Sequence, residues 1–154
     1  MATDRVLGKM KVADIRHLIV ENPSAIAPDA PVRDLLAKMI EDFRTRNVYV
    51  VETDGTVVGT VRMDSAIQHL FPVESIMEYS IDSFWIDLPH LGAKKVSDLM
   101  SSAPPMVRES TTLGEMARIM MHEGDHELAV VDEFNRLIGQ VNAYEVIKAY
   151  LTRD

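Results

Sequence analysis

The chain writes one structural unit twice, and that duplication limits the folds open to it more than any other feature. Set residues 23–39 above residues 104–120 and few identities appear, yet the apolar positions agree one by one. Val48-Tyr49-Val50-Val51-Glu52 answers Leu128-Ala129-Val130-Val131-Asp132. Val57-Val58-Gly59-Thr60-Val61-Arg62 answers Leu137-Ile138-Gly139-Gln140-Val141-Asn142, and upstream Val12-Ala13-Asp14-Ile15 answers Val96-Ser97-Asp98-Leu99.

Each copy reads as strand, helix, strand, strand, helix. Val32, Leu35, Leu36, Met39, Ile40 and Phe43 recur at the spacing of an amphipathic helix, and Leu113, Met116, Ala117, Met120 and Met121 repeat the stripe. Thr112 with Glu115 is a capping box that opens the second of these helices, and Pro31 suits the first turn of the other. Two β-rich runs follow in each copy, joined by Thr53-Asp54-Gly55-Thr56 or by Glu133-Phe134-Asn135-Arg136; Asp-Gly between such runs signals a hairpin. A further helix is expected from Met63 to about Leu70 and from Ala143 to about Leu151. The fold class is therefore α/β in the wide sense (α+β), with one repeat over 8–71, a connecting segment over 72–94 and a second repeat over 95–154. Between the copies, Ile76, Met77, Phe84, Trp85 and Leu88 with little Gly or Ser predict an ordered, packed connection, Trp85 serving in packing.

Composition closes several functional classes. The formal charge of -8, with Lys and Arg scattered singly or in pairs, disfavours nucleic acid and anionic membranes as partners. No apolar run reaches the length of a membrane span, and the first residues lack the layout of a secretory signal. The absence of cysteine removes disulfides, thiolate chemistry and sulfur-ligated metals, which fits a reducing, cytoplasmic setting.

One motif argues for an enzyme. His122-Glu123-Gly124-Asp125-His126 fits H-E-x-x-H, the pattern that places two zinc-binding histidines one helical turn apart, with Glu145 downstream as a third ligand to be sought. Its setting tells against it. The repeat puts the segment at the end of the long helix, Gly124 terminates helices, and strands rather than a helix separate His126 from Glu145. No phosphate-binding glycine loop or Gly-x-Ser-x-Gly elbow occurs either. The reading is a protein that is not an enzyme, with no metal and no resident cofactor.

The order, spacing and repetition of these blocks resemble the CBS domain pair, also called a Bateman module. The resemblance rests on Pro23 to Asp29 and on the two strand-turn-strand blocks ending at Val58–Val61 and Ile138–Val141. It implies two tandem repeats packed as a pseudo-twofold pair, with an adenine nucleotide (AMP, ADP or ATP) bound in a cleft between them as a regulatory ligand. It also implies a homodimer or a module docked on a regulated protein. Carried over residue by residue, the ribose-binding positions fall on Asn142 and Glu145 in the second copy. In the first they fall on Arg62 and Ser65, where the carboxylate is lost and Asp64 stands one residue short. The phosphate-facing positions fall on Arg46 and His126, with Arg62 as a third candidate, and the adenine pocket on Ala25, Ile26, Met106 and Val107. The alternative is an interaction module whose clefts have degenerated and which only dimerises; the altered first copy favours it, Asn142 and Glu145 oppose it.

Overall fold

The computed structural model describes residues 7–42, 46–70 and 94–152. The elements are β1 (Ala25–Ile26), α1 (Val32–Glu41), β2 (Asn47–Val51), β3 (Val57–Arg62) and α2 (Met63–Leu70), then β4 (Met106–Val107), α3 (Leu113–Glu123), β5 (Glu127–Val131), β6 (Leu137–Asn142) and α4 (Ala143–Leu151). A short 3-10 turn precedes each set, at Val12–Ile15 and Val96–Asp98. The expected order of elements in each repeat is thus observed in a mixed α+β chain. Phe43 and the whole of the apolar run that includes Trp85 lie outside the described residues.

The duplication extends to the register of the sheets. Two three-stranded sheets form, ordered β1-β2-β3 and β4-β5-β6. Ala25 pairs with Tyr49 and Ile26 with Val50 in parallel, and the equivalent residues Met106 and Val107 pair with Ala129 and Val130. The 3-10 turns match as well: Asp14 accepts the Lys11 N–H at 2.8 Å, and Asp98 accepts the Lys95 N–H at 3.0 Å.

The chain divides into two compact units that do not coincide with the sequence repeats. One holds β4–β6 with the described residues up to Pro23 and the hairpin tip Asp54–Val57; the other holds β1, β2 and β3 from Val58 onward, with residues up to Ala103. The reason lies in the segment leading each repeat. Within the β4–β6 unit, Val12 donates to the Thr111 carbonyl, and Val20 and Gln140 exchange both backbone hydrogen bonds, at 3.0 and 2.8 Å. Within the β1–β3 unit, Val96 donates to the Ala30 carbonyl, and Thr60 and Ser101 exchange theirs at 3.1 and 2.9 Å. Each leading segment so covers the open edge of the last strand, an edge that would otherwise invite intermolecular pairing.

The glycines of the apolar-Gly-x-Val blocks allow this approach. A Cβ on Gly59 would stand 2.9 Å from the Ser101 carbonyl and 2.6 Å from Met100 Sδ; one on Gly139 would stand 3.0 Å from the Val20 carbonyl and from Ile19 Cδ1.

The turns behave as their residues dictate. Gly55 takes φ +91° while Asp54 accepts the Thr56 N–H at 2.9 Å. In the second hairpin Asn135 takes φ +63°, and Asp132 accepts the Phe134 and Arg136 N–H groups at 2.8 and 2.9 Å. These hydrogen bonds hold the carboxyls of Asp54 and Asp132 below the ordinary range.

Helix α3 opens on the Thr112–Glu115 capping box, with the Glu115 N–H 3.2 Å from Thr112 Oγ1. Pro31 sits one position earlier than its expected place, as the N-cap of α1. The core stripes are narrower than the sequence suggests. Val32, Leu35 and Met39 are buried on α1, and Leu113, Met116 and Met120 on α3, but Ile40 is 71% exposed and Met121 79%. Ala117 is exposed too. Leu36 and Ile119 are half-buried against their cores, and the apolar residues beyond them, Ile40 and Met121, stay outside.

Candidate ligand-binding site

At the junction of β6 and α4 the backbone leaves the strand at Asn142, with φ −129° and ψ 173°, and enters the helix at Ala143. Four N–H groups at a helix start lack intrahelical partners. Asn142 meets two of them, Oδ1 accepting from Tyr144 N at 2.9 Å and from Glu145 N at 3.4 Å. Glu145 returns the contact, its Oε2 accepting the Asn142 N–H at 3.2 Å. The two residues expected to grip a ribose are therefore brought face to face as a capping box. Each keeps spare capacity, since the cap uses only the oxygen of the Asn142 amide and one oxygen of the Glu145 carboxylate.

His126 completes the corner. Its carbonyl accepts the Ala143 N–H at 3.0 Å, while the residue as a whole is exposed. Register sets Glu127 opposite Asn142. Glu145 is only 6% exposed, and that burial pushes its carboxyl above the ordinary range; the nearby Glu127 carboxylate adds to the rise, while backbone N–H groups and Lys148 oppose it.

The first copy builds the same corner differently. The Arg46 carbonyl accepts the Met63 N–H at 2.9 Å, the counterpart of the His126–Ala143 link. In place of an amide and a carboxylate stand Arg62 and Ser65. Asp64 pairs with Arg62, Nε to Oδ1 at 3.3 Å, and the same oxygen accepts the Ser65 N–H at 2.9 Å. Arg62 thus carries a counter-charge where a phosphate contact was expected, and Asp64 serves its own helix start.

The adenine-pocket positions split by face. Val107 is 1% exposed inside the β4–β6 core, and Ile26 packs against the β1–β3 core. Ala25 and Met106, one residue earlier in extended chain, face the opposite side of their sheets. Two residues that sequence reasoning did not mark also lie on that opposite face, Glu127 and the fully buried Gln140. A glutamine between Gly139 and Val141, inside a buried strand, is the signal that could have found it.

The H-E-x-x-H segment does not form the helix that zinc ligation needs. Helix α3 ends at Glu123, and Gly124 turns left-handed at φ 62°, so His122 closes the helix and His126 lies beyond it. Among the described residues no group of three or more His, Asp or Glu side chains is placed to hold a metal, and no helix is long and apolar enough to cross a membrane.

The family model for the CBS domain matches residues 12–71 and again 96–152. The chain belongs to the CBS-domain family. It is 29% identical over 147 residues to the CBS domain-containing protein CBSX2, chloroplastic, of Arabidopsis thaliana, an alignment that takes in 85% of this chain and 60% of the relative. The chain therefore spans about three-fifths of the length of that curated relative. A crystal structure of a CBS domain-containing protein from Thermotoga maritima matches with TM-score 0.69 and 30% identity, covering 92% of this chain and 94% of the other. CBSX2 in complex with AMP matches with TM-score 0.71 and 24% identity, covering 94% and 98%. The CBS domain pair of the protein MJ0100, in complex with 5-methylthioadenosine and S-adenosyl-L-methionine, matches with TM-score 0.66 and 14% identity, covering 94% and 98%. CBSX2 and MJ0100 share the fold described above, and each is seen in complex with adenosine compounds.

The raised carboxyl of Glu145 fixes a pH dependence. A native pKa above the unfolded value means that the folded state holds the extra proton, so stability falls as pH rises from about 4.5 through the native pKa. Glu145→Gln keeps an oxygen for the Asn142 N–H and removes the buried charge. Its melting temperature relative to the parent should therefore climb as the pH is taken from 4 to 7; a gap that is constant or shrinks would contradict the assignment.

Proposed function

We propose that the chain is a regulatory sensor that binds an adenine nucleotide, or a similar adenosine compound, at the β6–α4 corner. The observation that carries this reading is the convergence of Asn142, the buried Glu145 carboxylate and His126 at one helix start. A carboxylate and a carboxamide with capacity to spare suit the paired hydroxyls of a ribose, and His126 stands beside them with a ring N–H to offer a phosphate. The adenosine compounds held by CBSX2 and MJ0100 support the ligand class. Regulation then follows from differential affinity: a ligand that prefers one arrangement of the chain shifts the population toward it, and a regulated protein reads the shift. Catalysis has no part in the proposal, and the lack of cysteine suits a reducing compartment such as the cytoplasm.

The rival reading, an interaction module that binds no nucleotide, draws on the first copy, where Asp64 already occupies Arg62. Calorimetry with AMP, ADP, ATP and S-adenosylmethionine separates the two. A hydrogen bond to a charged group contributes about 1.5–3 kcal/mol, so Glu145→Ala should weaken binding roughly tenfold to a hundredfold. Ser65→Ala should change it by less than about fivefold, since a neutral hydroxyl bond nets only about 1 kcal/mol. The reverse order would move the site to the first copy, and no binding by the parent protein would establish the rival.

A homodimer is the second part of the proposal. Helix α4 exposes Tyr144 by 78%, Ile147 by 56% and Leu151 by 70%, an apolar row at helical spacing that a partner copy would cover. Light scattering at micromolar concentration should give twice the mass of the chain, and Ile147→Asp should reduce it to one; a monomer in both cases would refute the dimer.

A further inference from the structure

Gln140 is 0% exposed, and its side chain is the strangest polar group in the β4–β6 unit. Its backbone is fully satisfied by the two hydrogen bonds exchanged with Val20. Among the described residues, however, no hydrogen-bond partner meets either the amide nitrogen or the amide oxygen of the side chain. A buried carboxamide left in this way destabilises a fold, and apolar side chains of the same size are readily available at a strand interior. Gln140 therefore calls for a use outside the apo fold.

Register says where that amide stands. Gln140 lies opposite Ala129, and Ala129 lies opposite Met106, so Met106, Ala129 and Gln140 form one row across the three strands. The next row along carries Glu127 and Asn142. Because side chains alternate along a strand, Gln140 and Asn142 share a face, about 7 Å apart, on the side away from the apolar core. The row is about 10 Å wide, with the smallest side chain, Ala129, at its centre. Met106 at its far edge is half-buried and unbranched, the kind of side chain that yields to a flat ring.

We infer that Gln140 reads the polar edge of the purine, its carboxamide donating to a ring nitrogen and accepting from the exocyclic 6-amino group. This rests on the nucleotide reading above and deepens it, assigning the base to the Met106–Ala129–Gln140 row as the ribose is assigned to Asn142 and Glu145. A carboxamide presents one donor and one acceptor side by side, the complement of an adenine edge. Adjacent rows on one face suit the short distance between a base and its sugar.

The test uses the full chain and its Gln140→Met variant, which keeps size and removes the amide. Affinities are measured by calorimetry for AMP and for purine riboside 5′-monophosphate, which lacks the 6-amino group, and melting temperatures are taken without ligand. Gln140→Met should bind AMP about tenfold more weakly, bind purine riboside 5′-monophosphate with at most a threefold change, and melt at or above the parent temperature. Gln140→Leu repeats the test should the methionine variant not fold. Equal AMP affinity in parent and variant would overturn the inference and leave the nucleotide reading standing. So would equal losses for both nucleotides, or a clear fall in melting temperature, which would make the amide a structural one. Failure of the parent protein to bind any adenosine compound would take down both.

Discussion

Each sheet ends on a strand whose outer edge is closed by a pair of main-chain hydrogen bonds, Val20 with Gln140 and Ser101 with Thr60. Both closures sit one residue after a glycine, Gly139 or Gly59, and both depend on the bare Cα of that glycine, because a methyl group there would press on backbone oxygen. Much else follows from this contact. It takes the leading segment out of its own repeat and makes it part of the other compact unit. It buries the edge that short three-stranded sheets otherwise leave open. It also fixes the backbone of β6 two residues before the strand becomes the N-cap of α4, so the corner that carries Asn142 and Glu145 is held from both sides.

At that corner the helix cap and the proposed ligand contacts would share the same atoms. A capping box contributes about 1 kcal/mol to a helix, and Asn142 and Glu145 supply one whether or not a ligand is present. The cap costs them little as ligand groups, since it occupies one oxygen of each. It also orients both side chains in advance, which would lower the entropic cost of binding a ligand there. Burial of Glu145 works against its charge. A ligand that donates hydroxyl hydrogens to that carboxylate would offset the strain.

The fold was legible because its repeats announce it twice, and each weak signal is supported by its counterpart. The apolar spacing of Val32, Leu35 and Met39, the Thr112–Glu115 box and the glycine after Glu123 all act within a few residues, and all are found where the sequence puts them. What stayed hidden depends on partners far along the chain. Nothing in Val12–Val20 reveals that it pairs with β6 rather than with its own repeat, since a short apolar run fits either edge. Ile40 and Met121 read as core because spacing alone cannot tell how wide a face the sheet will cover. In the proposed site, Asn142 and Glu145 could be marked because the Gly-x-Val block before them resembles the CBS family's, whose ribose-binding positions follow it. Gln140 stands out as a polar residue between Gly139 and Val141, but its place beside those two, like that of Glu127, is set only by the cross-strand register. The Arg62–Asp64 pair was equally out of reach, since a charge's neighbour is settled by side-chain geometry.

The central claim is that one corner, at the end of β6, receives an adenosine ligand. An amide NMR titration of the chain with AMP tests it most directly, because every backbone N–H reports its own surroundings. The account predicts that the largest shifts fall on Gln140, Asn142 and Glu145, with His126, Ala129 and Met106 beside them, and that Arg62 to Ser65 move little. Shifts centred on Arg62 to Ser65, or none at saturating AMP, would contradict it.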